Sequence, residues 1–339
     1  MQEARWWEPL GDGTVRCCLC PWFCTLKPGA NGHCRARGNR DGRLMALTYG
    51  RCSAQALDPI EKKPLYHFYP GATILSLGSN GCNFGCSFCQ NWEISQGETP
   101  MIELAPAEAA DLAADERARR AGCIGIAYTY SEPLVWAEYV LDTAKEVRAR
   151  GQVNVVVTNG YINPEPLAEL LPYIDALNID VKAFSERYYR EVCGGRLEPV
   201  KETVRAAHAA GCHVEVTTLI VPGLNDAAKE IDDLVDWLAA ISPDIPLHFS
   251  RYYPNYRLAL PPTPVPTLIR AREQALAKLR YVYIGNVYVA GAGDTHCPTC
   301  GAVVIRRAGM GVAGHSLRGY ACARCGSEIA LVGEVIESH

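Results

Sequence analysis

Between residue 74 and about residue 289, short apolar runs alternate with amphipathic stretches. The runs at 74–77, 125–129, 153–157, 176–181, 213–218 and 247–249 predict strands, being brief, rich in β-branched residues and bounded by turn-forming residues. Helices are predicted between them. Pro133 stands in a first turn, Ala137, Val140, Leu141 and Ala144 share one face, and Gly151 ends the pattern. Pro199 and Gly211 bracket a second helix. Asp226 is expected to cap a third, in which Ile231, Leu234, Val235 and Leu238 recur at i, i+3, i+4 and i+7. A last helix is expected over 267–279. Such alternation argues for an α/β fold with a parallel sheet and helices outside it, as a barrel or an open doubly wound sheet.

The flanks read differently. The first fifty or so residues have no clear period and carry Cys17, Cys18, Cys20, Cys24 and Cys34 among Gly and Pro, which predicts a metal-held extension without a core of its own. The stretch from Asp58 to Pro64, followed by Tyr66, Phe68 and Tyr69, reads as a linker over the cavity whose mixed charges are solvated. The expected units are a cysteine-rich extension and linker at 1–70, a core at 71–292 and a small metal-binding unit at 293–339.

A chain of 339 residues has room for one large core and a smaller unit or two, and 48% hydrophobic with 21% charged residues is ordinary for a globular protein. The net charge of -4 gives no general attraction to nucleic acid or anionic lipid, and no apolar run approaches a membrane span, so neither partner is expected. Most of the 16 cysteines cluster in CxxC-like groups, with nothing like a signal peptide before them. Grouping of that kind favours metal binding in a reducing cytoplasm over a disulfide framework.

Three groups of thiols carry the candidate chemistry. Cys82, Cys86 and Cys89 are spaced C-x3-C-x2-C on a glycine-bearing loop just after the first predicted strand. Three thiolates leave one corner of a tetrahedral zinc site or of a [4Fe-4S] cluster for water, a fourth side chain or a substrate. Cys17, Cys20, Cys24 and Cys34 form C-x2-C-x3-C-x9-C, enough for zinc or an auxiliary iron-sulfur cluster. Cys297, Cys300, Cys322 and Cys325 form two knuckles, C-x2-C-x21-C-x2-C, a zinc-ribbon or rubredoxin-like pattern for which structural zinc is favoured over iron. Polar residues also gather where the predicted strands end: Glu132, Thr158 with Asn159, Asp180 with Lys182, Thr218, and His248 with Arg251. In parallel α/β folds binding sites occupy the carboxyl ends of strands, so these groups and the Cys82 loop are expected on one rim.

The Cys82, Cys86, Phe88 and Cys89 pattern resembles the radical S-adenosylmethionine (SAM) superfamily, whose loop is C-x3-C-x-aromatic-C. The resemblance implies a partial (β/α)6 barrel, a [4Fe-4S] cluster with one open iron, and SAM bound there and reductively cleaved to a 5'-deoxyadenosyl radical. The order of segments is similar to the pyruvate formate-lyase activating enzymes. That likeness places Glu132 at the SAM amino group, Thr158-Asn159-Gly160 at the ribose, Asp180 and Lys182 at the carboxylate, Val221-Pro222-Gly223 near adenine, and His248 on the late strand. Two departures stand out. Val157 occupies a position where the activases often have Asp, so a cation site there is not carried over, and Tyr130-Ser131 replace two glycines before Glu132.

Over nearly its whole length the chain looks like the AmmeMemoRadiSam system radical SAM enzymes. It shares the N-terminal thiol set, Pro59-Ile60-Glu61-Lys62-Lys63-Pro64, Tyr128-Thr129-Tyr130-Ser131-Glu132-Pro133 and the C-terminal cysteines, with Trp22 where many members have His. The implied partners are an electron donor such as flavodoxin or ferredoxin, and a protein substrate or a Memo-like system partner. The implied reaction is hydrogen abstraction, either from a glycyl residue of a partner enzyme or from a small molecule or another protein residue. A SAM-dependent methyl transferase is a further reading within catalysis, and a zinc-knuckle interaction protein is the reading from another class.

Overall fold

The computed structural model describes residues 1–115, 118, 119 and 122–337. Its central element is an eight-stranded sheet, here labelled β1 (Ala54–Pro59), β2 (Thr73–Gly78), β3 (Cys123–Tyr128), β4 (Val153–Thr158), β5 (Ala176–Asp180), β6 (His213–Ile220), β7 (Leu247–Arg251) and β8 (Val282–Gly285). Spatial order equals chain order. From β2 to β8 every neighbouring pair is parallel, while β1 runs antiparallel to β2. The absence of any reversal in strand order excludes the doubly wound alternative. Because β1 and β8 do not pair, the sheet is a partial barrel with two edges.

Six strands were expected, and the structure adds β1 and β8 at the edges. Each is hard to read for its own reason. Exposure alternates along β1 without a hydrophobic signal, and β8 is only four residues long. The main helices are α1 (Pro106–Ala114), α2 (Ala137–Ala149), α3 (Pro164–Leu170), α4 (Leu197–Ala209), α5 (Ala228–Ile241) and α6 (Val265–Leu276). On α5 the four residues Ile231, Leu234, Val235 and Leu238 are all buried, each contributing about 1.5–3 kcal/mol, so Leu234→Asp would detach this helix. Asp226 does not cap it. Its carboxylate instead accepts from the Gly223 amide at 2.8 Å, closing the preceding turn.

The N-terminal extension is more ordered than expected. Its two small sheets, Gln2–Glu3 with Arg37–Arg40 and Arg43–Ala46, and Trp7–Gly11 with Thr14–Cys17 and Thr25–Leu26, bury Val15, Leu26 and Leu44 into the main core. Strands of two to five residues are too short to show a period in sequence. A buried ion pair, Arg37 to Glu138 at 2.8 Å, fastens the extension to α2.

The charged stretch after β1 is not a solvated loop. Asp58, Glu61 and Lys63 are buried, and Lys63 pairs with Asp58 at 2.7 Å. The chain from Ile60 to Tyr69 lies against inward-facing side chains of the barrel: the Pro64 carbonyl accepts from Asn178, the His67 amide donates to Glu215, and Tyr66 packs on His248 and Tyr283. That segment is the barrel floor.

The C-terminal unit docks onto the floor. Arg307 donates to the Tyr66 carbonyl and stacks over its ring, and His67 is hydrogen bonded to the Ala330 carbonyl. Cys297, Cys300, Cys322 and Cys325 bring their sulfur atoms within 4.8 Å of one another, as a single tetrahedral metal requires. Hydrogen bonds from the Ser327 hydroxyl and amide pull the Cys325 thiol down to about 6, favouring the thiolate that ligation needs. Among the described residues, no helix is long and apolar enough to cross a membrane.

Candidate active site

A cavity of about 530 Å³ opens at the carboxyl ends of the strands, and the residues that reach it come from most of them. Beyond β2 the chain turns into the loop carrying Cys82, Cys86 and Cys89. Gly81 makes that turn possible at φ +110°, where a Cβ would stand 2.6 Å from the Cys34 carbonyl oxygen. The loop is then clamped from two sides. Asn159, after β4, donates to Asn83 Oδ1 at 2.9 Å, while Asn83 donates to the Tyr161 carbonyl at 2.7 Å. From the other side the Gly85 amide donates to the Cys193 carbonyl at 2.8 Å and the Ser87 amide to that of Val192 at 3.1 Å.

The three thiols are the right donor set for a cluster with one free corner. Each interacts electrostatically with the other two, yet they are not closed to the 4.8 Å spacing of the C-terminal group. Backbone amides point at the sulfurs, Phe84 N lying 3.4 Å from Cys82 Sγ, and the Asn159 side chain adds a contact at 3.7 Å. Burial pushes the Cys82 and Cys89 thiols up, and Cys86 is raised first by the hydrogen bond its thiol donates to Cys193 and then by burial. Thiolates therefore form here only with a compensating cation, which a cluster supplies. Phe88 is buried and lines the cavity beside them.

Opposite the loop, Glu132 is held almost without freedom. Its Oε1 accepts from the Leu134 amide at 2.9 Å and the Thr158 hydroxyl at 2.6 Å, and its Oε2 accepts from the Asn159 amide at 2.8 Å. Burial outweighs these bonds and pushes its carboxyl up to about 7, so a cationic group arriving in the cavity finds a partner that gains from being charged. Asp180 and Lys182, on and just after β5, form a pair at 2.6 Å. Burial would push the Lys182 ammonium down, but the Asp180 carboxylate and the Cys86 thiol reverse this and hold it above its ordinary value. The cavity thus offers an anion for an amino group and a cation for a carboxylate on two sides of the thiols.

Sequence reasoning overlooked three participants. Lys63 and Tyr130 both line the cavity, and Asp58 anchors them, accepting from Lys63 at 2.7 Å and from the Tyr130 hydroxyl at 2.6 Å. Tyr130 takes φ +70°, a left-handed conformation costing about 1–2 kcal/mol for a residue with a Cβ. The Asp58 hydrogen bond and the Lys63 ammonium 4.7 Å over its ring explain how Tyr can stand where a glycine is expected. The available signal was the charged Pro59-to-Pro64 segment, read as solvated. Asn83 was present in the loop motif but gave no hint of its partner.

His248 is placed elsewhere. It is buried one step below Ser250 along β7, its Nε2 is engaged by Glu215 at 2.6 Å, and it does not line the cavity. Thr218, by contrast, turns its hydroxyl to the Val181 carbonyl at 2.8 Å, bracing the β5 end. Cys17, Cys20, Cys24 and Cys34 lie outside the cavity but against its loop, and the Trp22 indole donates to the Asn83 carbonyl at 2.8 Å. The C-terminal cysteines sit beyond the floor, at the opposite end of the sheet from the Cys82 loop.

Several known proteins are similar to this chain. An uncharacterized protein of Methanocaldococcus jannaschii is 47% identical over 316 residues, covering 91% of this chain and 92% of that one. The benzylsuccinate synthase activating enzyme of Thauera aromatica is 26% identical over 133 residues, 38% of this chain and 40% of that enzyme. In fold, the crystal structure of Streptococcus suis SuiB bound to precursor peptide SuiA aligns with a TM-score of 0.52 at 14% identity, over 68% of this chain and 52% of that one. The Radical SAM superfamily model matches residues 77–238, which run from the end of β2 into α5 and include the cysteine loop, and the chain belongs to that superfamily.

Proposed function

We propose that the protein binds SAM in the strand-end cavity, cleaves it reductively to methionine and a 5'-deoxyadenosyl radical, and uses that radical to take a hydrogen atom from a substrate. The observation that supports this reading is the convergence of Cys82, Cys86 and Cys89 with Glu132, Asp180 and Lys182 on one cavity. A cluster held by the three thiols would supply the electron and the open iron. Glu132 then receives the SAM amino group through its remaining lone-pair site, and Thr158 and the Asn159 amide fix its orientation. Lys182 faces the carboxylate, and Asp180 keeps the lysine charged and in place. His248 supports β6 and β7 from below through Glu215.

The substrate is proposed to be a polypeptide, entering where Gln90 and Asn91 are exposed at the cavity mouth. The resemblance to the pyruvate formate-lyase activating enzymes makes a glycyl residue the first candidate. The reading also places the protein in the cytoplasm, where a one-electron donor such as flavodoxin or ferredoxin is present. Anaerobically reconstituted protein given SAM and dithionite should form 5'-deoxyadenosine, and Cys86→Ala should not. Formation of S-adenosylhomocysteine alone would instead indicate methyl transfer, and a reconstituted protein holding zinc but no iron would indicate a scaffold.

A further inference from the structure

Cys17, Cys20, Cys24 and Cys34 take no part in the cavity, yet they come to a common point. Each of the four thiols lies within electrostatic reach of the other three. Backbone amides are directed at the sulfurs, with His33 N at 3.5 Å from Cys24 Sγ and the amides of Trp22 and Ala36 bonded to Cys20 and Cys34. The Cys82 loop shows the same arrangement. Such amide-to-sulfur bonds stabilise ligating thiolates.

Spacing separates one metal from several. A tetrahedral metal with bonds of about 2.3 Å to sulfur sets its thiolates about 3.8 Å apart, and the C-terminal four meet this, with pairs at 3.5 and 3.8 Å. Among the described residues, no three of the four N-terminal thiols are within 4.8 Å of one another, nor are Cys82, Cys86 and Cys89. A [4Fe-4S] cubane binds each thiolate to its own iron and so holds them farther apart. Thiols that are gathered but not closed match the cubane.

Charge and position agree. Arg37 is 1% exposed, its field acts on Cys17 and Cys34, and its Nε has no hydrogen-bond partner among the described residues. A buried cation with a free donor beside four thiols suits an anionic centre. The set also abuts the first cluster loop: Trp22, between Cys20 and Cys24, donates to the Asn83 carbonyl, and the Cys34 carbonyl rests against Gly81.

We propose that Cys17, Cys20, Cys24 and Cys34 hold a second [4Fe-4S] cluster that relays single electrons to the cluster on Cys82, Cys86 and Cys89. In the relay the reduced second cluster gives up one electron and the first gains it. A one-electron donor of the flavodoxin or ferredoxin class restores the second cluster, and no bond is made or broken. The relay rests on the radical SAM reading of the Cys82 loop, whereas the metal centre itself does not.

The test compares full-length wild type, the triple variant Cys82→Ala/Cys86→Ala/Cys89→Ala and the double variant Cys20→Ala/Cys34→Ala, each reconstituted anaerobically. Iron, sulfide and zinc are counted, and the reduced proteins are examined by EPR. About eight irons and eight sulfides are expected in wild type and about four in each variant, apart from the C-terminal metal. The reduced triple variant should show a cluster signal that SAM leaves unchanged, whereas the signal of the double variant should respond to SAM. Zinc without sulfide in the triple variant overturns the second cluster, and this holds even where the double variant does not fold. With flavodoxin as donor the folded double variant should form 5'-deoxyadenosine at least tenfold more slowly, and an unchanged rate overturns the relay. Wild type with eight irons but no nucleoside sinks the radical reading and the relay together while upholding the centre.

Discussion

At the carboxyl end of the sheet Glu132, Asp180 and Lys182 face a cavity of about 530 Å³; toward its amino end Glu215, His213, His248, His67 and Tyr283 face one another. The residue types are alike, but what is left over is not. Burial would push the Glu215 carboxyl up, yet hydrogen bonds from His213 and His248 reverse this and hold it well below its ordinary range. His67 is pushed down to about 3 by burial and stays neutral, with its two ring nitrogens bonded to the Ala330 carbonyl and the Tyr283 hydroxyl. On the rim, Glu132 is instead raised to about 7 and, among the described residues, no cationic side chain is hydrogen bonded to it. A buried ionisable group paired by the protein supports the fold, and one lacking its counter-charge is positioned for a ligand.

Substitutions at the two ends should therefore fail in different ways. The largest expected effect is on the rim: Cys86→Ala should lower 5'-deoxyadenosine formation by at least about a hundredfold, with the folded state retained. Comparable activity per iron in this variant would remove the loop from the chemistry. On the floor, Glu215→Ala should destabilise the protein by about 3–5 kcal/mol, because three nearby donors lose a buried anion. Urea unfolding measures this, and a change under 1 kcal/mol would show that the floor is not the paired network described.

Smaller changes sharpen the contrast. Glu132→Gln should weaken SAM binding roughly tenfold to a hundredfold, the worth of a hydrogen bond to a charged group, and should also cost about 1–3 kcal/mol of stability because its amide NH2 replaces one of two accepting oxygens. Isothermal titration showing equal affinity would deny Glu132 its ligand. Its proton also predicts a pH profile. With the free-state carboxyl at about 7, SAM affinity should be level above that pH and fall about tenfold per unit below it, as a proton competes with the SAM amino group. For the ligand-free fold the sign is opposite: a raised carboxyl contributes stability that is complete below its unfolded value and is lost as pH rises through about 7. Affinity that is flat from pH 6 to 8 contradicts this assignment. The smallest effect on catalysis is expected from Cys322→Ser, which should release the C-terminal metal and lower thermal stability while changing nucleoside formation less than about twofold, since its site lies beyond the floor. A tenfold loss there would bring the C-terminal metal into the chemistry.

How much of this was legible depended on how local each signal was. The C-x3-C-x2-C loop and the two C-terminal knuckles are contiguous, and thiols a few residues apart must lie close in any fold. Strand ends were legible because apolar runs stop where the chain leaves the sheet, which located Glu132, Thr158, Asn159, Asp180 and Lys182 together. His248 shares the same strand-end position in sequence, yet a strand presents alternate residues at successive depths, and this one falls a layer too low. Lys63 was misread because its partner Asp58 is close in sequence, a pattern that solvated charge runs share, whereas burial depends on the barrel closing around both.

By itself, then, the sequence determined the parallel α/β order, the donor type of each cysteine group and part of the rim, Glu132, Thr158, Asn159, Asp180 and Lys182. Ligand type and periodicity are properties of neighbours along the chain. Only the tertiary structure decided that the sheet is singly wound and open, that Ile60 to Tyr69 forms its floor, and that the C-terminal four-cysteine unit and the Cys82 loop occupy opposite ends. It also decided which thiols close to a single-metal spacing and which stay apart. Those are distances between residues far separated in sequence, fixed by burial and by hydrogen bonds across the core, and no local pattern encodes them.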